Sequence, residues 1–243
     1  MVNARMTAIL IAMVISVYVN CFAGMEKDGL SVWKNKYIDQ SQQNDIIIFY
    51  PQLRGIGDDG REKQINDLIK QDEMKILCRE LYFEDTFFCS ADYEVKLVNE
   101  DIISIYYEGR YGSTIALARP HHSVAATTNV ALKTGKLLTL NDVVTDLEAL
   151  AGMLLEERFE SITLWEGEKS AISEYRFDRE ELIRGMQKEE WDAEVTNFGW
   201  YTDGRYFVVV IHKGIYPFHN EFAIDISEVE DILDRGFLEM LGW

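Results

Sequence analysis

The chain has 243 residues, of which 47% are hydrophobic, and a formal net charge of -18. That length suits one or two cores of ordinary domain size, about 100 to 200 residues each, and the charge argues against a nucleic-acid binder, which needs a basic surface to release counterions from phosphates. An acidic surface instead favours solubility and attracts cations and basic proteins.

The first residues carry one positive charge, Arg5, and lead into an unbroken apolar run from Ala8 to Val19. The run is shorter than the roughly 20 residues that span a bilayer. With the small residue Ala23 placed for cleavage before Gly24, residues 1–24 read as a signal peptide. The alternatives are an uncleaved N-terminal membrane anchor and lipidation at Cys21, although Asn20 stands where a lipobox wants Gly, Ala or Ser. In each case the body is expected outside the cytoplasm, secreted or held at the cell surface, with the membrane touched only through this segment. Export would put Cys78 and Cys89 where a disulfide can form, and a bridge between them would stabilise by about 3 kcal/mol. Two buried thiols are the other reading of the same pair.

Residues 25–44 are polar with scattered aromatics, including Trp33 and Tyr37, and read as a spacer or as a first, loosely packed strand. The domain proper is expected over 45–243, in halves 45–142 and 143–243. Ile46 to Tyr50 is a strand that Pro51 should stop, since proline lacks the ladder donor. Asp59 with Glu62 has capping-box spacing, and Ile65, Leu68, Ile69 and Ile76 recur at helical intervals, so a helix should cover about Arg61 to Arg79.

Tyr93, Val95 and Leu97 alternate with charged residues, and Asn99-Glu100 turns that strand back into Ile102 to Tyr107 as an antiparallel hairpin. Val124, Ala126, Thr128, Val130 and Leu132 share a face of the next strand, and Thr134-Gly135-Lys136 is a turn in which Gly135 can adopt positive φ. Asn141-Asp142 signals a helix cap. Val143, Val144, Leu147, Leu150, Ala151, Leu154 and Leu155 then form an apolar stripe, predicting the longest helix of the chain, in a tract ended by Gly167. Asp178 with Glu181 caps another helix.

Phe198 to Tyr201, the turn Asp203-Gly204 and Tyr206 to Ile211 make a second hairpin, whose latter strand is apolar on both faces and hence central. Phe222, Ile224 and Ile226 mark one more strand, and Ser227 with Glu230 should cap a closing helix through about Leu241. The fold class that follows is α/β in the α+β sense: a mixed, largely antiparallel sheet built from hairpins, with three to four helices packed on it.

Tyr50-Pro51-Gln52-Leu53, Gln64-Ile65-Asn66, Ala118-Arg119-Pro120-His121-His122, Leu132-Lys133-Thr134-Gly135-Lys136 and Leu138-Thr139-Leu140-Asn141-Asp142 together resemble the RsiV-type extracytoplasmic domain. The sequence is similar to the paired bacterial domains of unknown function numbered 4163 and 3298, from about Asp45 to the C-terminus. The resemblance implies binding: family members serve as the lysozyme-sensing half of membrane anti-sigma factors, and others stand beside peptidoglycan or polysaccharide deacetylase domains. Few residues precede the apolar run here, and no deacetylase segment follows before Trp243. Neither signalling nor deacetylation carries over, and the expectation is a stand-alone exported binding module.

The binding candidates are two loops, about Gly109 to Ser123 and Lys213 to Asn220, where Tyr111, Arg119, His121 and His122, and Tyr216 and Phe218, are joined by Trp200 of the closing hairpin. Loops on rigid scaffolds often carry recognition, and aromatics anchor proteins or stack on sugars. Backbone hydrogen bonding by the polar residues and core packing by the aromatics are the structural readings of the same positions. A basic extracellular protein such as lysozyme is the first partner expected from the charge and the resemblance. A cell-wall glycan is the second. No HxH, HExxH or CxxC spacing suggests a metal, and no motif suggests a cofactor or an enzyme. A hydrolase built on carboxylates such as Asp203, Glu108 and Asp85 is the third reading.

Overall fold

The computed structural model describes residues 25–27, 29–40, 44–79, 87–113, 122–162, 172, 177–188, 196–213 and 219–243. These residues form a mixed seven-stranded sheet, an antiparallel four-stranded sheet and helices packed on both, as the hairpin pattern predicts.

The first sheet runs in chain order: β1 (Met25–Lys27), β2 (Leu30–Gln40), β3 (Asn44–Arg54), β4 (Phe87–Val98), β5 (Ile102–Ser113), β6 (His122–Ala131) and β7 (Lys136–Leu137). Its one parallel pair among the described strands is β3 with β4, joined by the crossover helix α1 (Asp59–Arg79) that such a pair requires. Within 25–44 the described residues follow the strand reading rather than the spacer one: Met25–Lys27 and Leu30–Gln40 are strands, and β2 pairs with β3 from Ser31↔Arg54 to Gln40↔Asp45.

Pro51 does not stop β3. The ladder to β4 ends at Ile48↔Ala91, so Pro51 lies on an open edge, where strands tolerate proline. Asn66 of α1 closes that edge: its Oδ1 accepts from the Leu53 amide at 2.7 Å and its Nδ2 donates to the Leu53 carbonyl at 2.9 Å. The cap falls one residue before the expected Asp59, with Asp58 Oδ1 accepting from the Arg61 amide, while Glu62 accepts from the Gly55 amide. Ile65 and Ile69 are fully buried against the sheet.

Gly135 has φ 67° in the turn after β6, as expected. The stripe that follows is not one helix. Thr139 caps α2 (Leu140–Val143) in a capping box with Asp142, two residues ahead of the expected signal, and Val144 then leaves the helix to bridge Leu233. Asp146 caps α3 (Leu147–Leu155), which ends before Glu157 at φ 56°. The apolar spacing was right for burial but blind to Val144's long-range pairing, and α1 is the longest described helix. Gly167 lies outside the described residues.

Asp178 caps α4 (Arg179–Met186) by accepting from the Glu181 amide, as predicted. The second sheet has the order β8 (Glu160–Ser161), β11 (His219–Asp225), β10 (Tyr206–Lys213) and β9 (Thr196–Thr202), with β10 central as its two-sided hydrophobicity implies. Ser227 does not cap the closing helix. Asp225 takes the Ser227 amide and hydroxyl in a short 3-10 turn, and Asp234 caps α5 (Arg235–Leu241).

Three apolar layers result. One lies between α1 and the first sheet, around Ile48, Leu53, Ile103, Ile105 and Tyr107. A second lies between the second sheet and α2 to α5, around Leu150, Leu154, Leu182, Phe207 and Phe237. The third is small and joins the sheets, setting Tyr106 and Ala125 against Tyr201, Val208, Val210 and Ala223. Each large side chain fully buried there contributes on the order of 1.5 to 3 kcal/mol.

Candidate functional site

Period-two alternation decides what lies between the sheets. In β10, Phe207, Val209 and Ile211 enter the helix-covered core, while Val208 and Val210 turn toward the first sheet. In β9 the same rule separates neighbours: Trp200 faces the core and Tyr201 the junction.

The edge of β9 docks on the first sheet through side chains. Trp200 N donates to Thr127 Oγ1 at 3.1 Å, Asn129 Nδ2 donates to the Trp200 carbonyl at 2.6 Å, and Thr202 N donates to Ser104 Oγ at 3.1 Å. Ser104 in turn donates to Asn129 Oδ1 at 2.6 Å. These bonds satisfy backbone groups that an open strand edge would leave bare. Gly199 permits the approach, because a Cβ there would sit 2.7 Å from Thr127 Oγ1.

Beyond this seam lies a polar cluster. Glu221 of β11 accepts from both Tyr106 and Tyr201, at 3.1 Å on Oε1 and 2.6 Å on Oε2. Tyr106 Oη is also 2.8 Å from His219 Nε2, so a ring N–H there donates to a phenol that itself donates to Glu221. Among the described residues, His219 Nδ1 has no hydrogen-bond partner. Cross-strand pairing sets His212 opposite His219, with ring centroids 5.5 Å apart.

Burial governs the charges of the cluster. It pushes the His212 pKa down to about 3, helped by the neighbouring His219 and opposed by a hydrogen bond to the Ala125 backbone. It pushes His219 down as well, against the pull of Glu221 and Glu108. Burial and then Glu221 raise the Tyr106 phenol, and burial with the bond to Glu221 raises Tyr201. At neutral pH both rings and both phenols are uncharged, and the tyrosines hold their protons. That chemistry suits positioning a carboxylate and a neighbouring cation.

The cation is Lys96. Between Val95 and Leu97 the β4–β5 register shifts by one residue, a bulge that leaves Lys96 outside the ladder. Its Nζ lies 5.1 Å from the Tyr106 ring centroid, 5.0 Å from that of Tyr201 and 2.6 Å from Glu94 Oε2.

Two grooves flank this point. One, about 780 Å³, is lined by Glu94, Lys96, Arg158, Glu160, Tyr201, Asp203, Arg205, Tyr206, Asp225 and Glu228 among others. A second, about 610 Å³, is lined by Phe49, Asp92, Tyr93, Glu94, Tyr106, Glu108 and Arg110 among others. Asp203 and Glu108 line different grooves, and Asp203 Oδ1 is occupied by the Arg205 and Tyr206 amides of its turn, so they do not form the carboxylate pair a glycosidase needs. Asp85 lies outside the described residues.

The residues expected to bind fall in several places. Arg119, His121, Tyr216 and Phe218 lie outside the described residues. For Tyr111 and His122 only the backbone is described, and they pair across the end of β5 and β6. Trp200 is 3% exposed and stacked on Phe207, with Phe237 edge-on, so its ring is spent on the core rather than offered to a ligand. Cys89 is buried on β4, while the Cys78 side chain lies outside the described residues. No group of three or more His, Cys, Asp or Glu among the described residues could hold a metal ion. No described helix is long and apolar enough to cross a membrane, and the apolar run at 8–19 is not among the described residues.

A solved structure shares this architecture. A member of the DUF3298 family from Bacteroides fragilis superposes with a TM-score of 0.54 at 10% identity, over 87% of this chain and 97% of that one. The chain has a DUF3298-type fold. A DUF3298 family protein from Pseudomonas aeruginosa matches at 13% identity over 86% of this chain and 96% of its own, with a TM-score of 0.42. No family model matches the sequence. No curated protein matches it.

The segments that carry the resemblance have structural work in this fold. Leu53 and Asn66 are bonded to each other, a Cβ on Gly135 would meet Gln64 Nε2 at 3.3 Å, and Thr139 with Asp142 forms the capping box. Sequence reading missed the cluster because its members are scattered over β4, β5, β9, β10 and β11. Alternation offered one signal: with Trp200 on the core face, Tyr201 had to face the other way.

Proposed function

We infer that this DUF3298-type domain is an extracytoplasmic binding module for a basic partner, with lysozyme as the first protein to try. The observation that carries the reading is the larger groove, where Glu94, Glu160, Asp203, Asp225 and Glu228 outnumber Lys96, Arg158 and Arg205 around the half-buried Tyr206 and the phenol of Tyr201. Carboxylates around an aromatic floor fit a protein that presents Lys or Arg beside apolar surface. The formal charge of -18 would speed its arrival, and a few desolvated contacts would hold it. The signal-peptide reading of residues 1–24 and the resemblance to lysozyme-sensing domains support placing this encounter outside the cytoplasm.

Calorimetric titration of residues 25–243 with lysozyme, at low and physiological salt, tests the proposal. Saturable binding that survives physiological salt and weakens at least tenfold in E160K/E228K supports it. Binding that vanishes with salt, or ignores the two substitutions, reduces the attraction to net charge. Tyrosine-fluorescence changes with wall-glycan fragments, insensitive to salt, would favour the glycan alternative.

A further inference from the structure

Lys96 is an occupant as well as a wall of the groove. Its ammonium lies over the Tyr106 and Tyr201 rings, whose centroids are 5.4 Å apart and tilted by 55°, and Glu94 closes the remaining side at 2.6 Å. Two aromatic faces with a carboxylate form the arrangement that binds organic ammonium ions. The cage is rigid, since both phenols are anchored on Glu221. Solvent reaches its contents: Lys96 projects from a bulge and is 19% exposed, and Glu94 is 65% exposed. The cage also stands where the two grooves adjoin, with Glu94 lining both.

We propose that Tyr106, Tyr201 and Glu94 form a subsite for the primary ammonium of a partner's lysine, and that Lys96 is its resident occupant, displaced when the partner docks. The proposal rests on the basic-partner reading and gives that partner a defined contact. Lys96 is then a built-in competitor. It keeps the cage filled and neutralised in the free protein, and on displacement its long side chain swings toward solvent while an equivalent cation takes its place.

Removing the competitor tests this. A capped trilysine peptide is titrated into the wild-type protein, K96A, K96M and K96A/E94Q. Both single variants lose the same charge, but methionine still fills the cage, so their difference isolates the vacated site from bulk electrostatics. The expected result is binding to K96A about tenfold tighter than to K96M, the order of one partly desolvated cation–π contact, with most of that gain lost in K96A/E94Q. Equal affinity of K96A and K96M, or peptide binding by neither, overturns the subsite. Lysozyme is titrated in parallel: if it binds through Glu160 and Glu228 while K96A and K96M remain alike, the subsite fails and the broader reading stands. If lysozyme does not bind at all, the broader reading fails separately.

Discussion

The two faces of the second sheet are made by the same strands and differ in almost every physical respect. One face buries Trp200, Phe207, Val209, Ile211, Phe222 and Ile224 beneath α2 to α5. The other offers Tyr201, His212, His219 and Glu221 to the first sheet and to the grooves. Strand periodicity places a core residue and a site residue side by side in sequence. The first face supplies stability through area, and the second trades area for hydrogen bonds and fixed charge positions.

Breaking the apolar face should have the largest effect. Phe207 is fully buried between Trp200 and Phe237, and F207A is expected to cost about 3 to 5 kcal/mol in denaturant unfolding. The polar face should answer to pH instead. His212 is held at about 3 when folded and returns toward 6.5 when unfolded, and His219 is depressed in the same direction. Between those values the unfolded chain binds more protons, so stability falls as pH drops from 6.5 toward 3. The depressed carboxylates Asp58, Asp142 and Asp225 act in the same sense but only below about pH 4. The slope between pH 6.5 and 4.5 therefore reports the histidines. H212F should flatten it by a few kcal/mol over the full window, read as the pH dependence of the urea midpoint.

The seam between the faces is expected to be intermediate. N129A strips the Trp200 carbonyl of its donor and should cost about 1 to 3 kcal/mol. G199A should cost a similar amount by forcing a methyl against Thr127. The smallest effect should come from the surface. K136A removes an exposed pair with Asp142 and should change stability by no more than about 1 kcal/mol.

The strands were legible because their alternation is local: Tyr93 to Leu97, Ile102 to Tyr107 and Tyr206 to Ile211 each announce a face. The break at Val144 was not, because Val143, Val144 and Leu147 satisfy a helix and the reason for leaving it is a bridge to Leu233. The start of the domain was hidden by the polar composition of β2, an outer strand with one long neighbour. For the candidate site, sequence supplied the aromatic-rich closing hairpin and the acidic charge. It could not supply the bulge that frees Lys96, since Glu94 and Lys96 alternate like any solvated strand face. Nor could it pair His212 with His219, which needs the register of β10 against β11.

Docking of a basic protein on the larger groove is best checked by hydrogen exchange of the protein with and without lysozyme. Slowed exchange is expected at the groove, in peptides covering 92–98, 158–162, 201–206 and 223–228, with α1 unchanged. Protection centred on α1 or on β2, or none at lysozyme concentrations that saturate calorimetric binding, would contradict it.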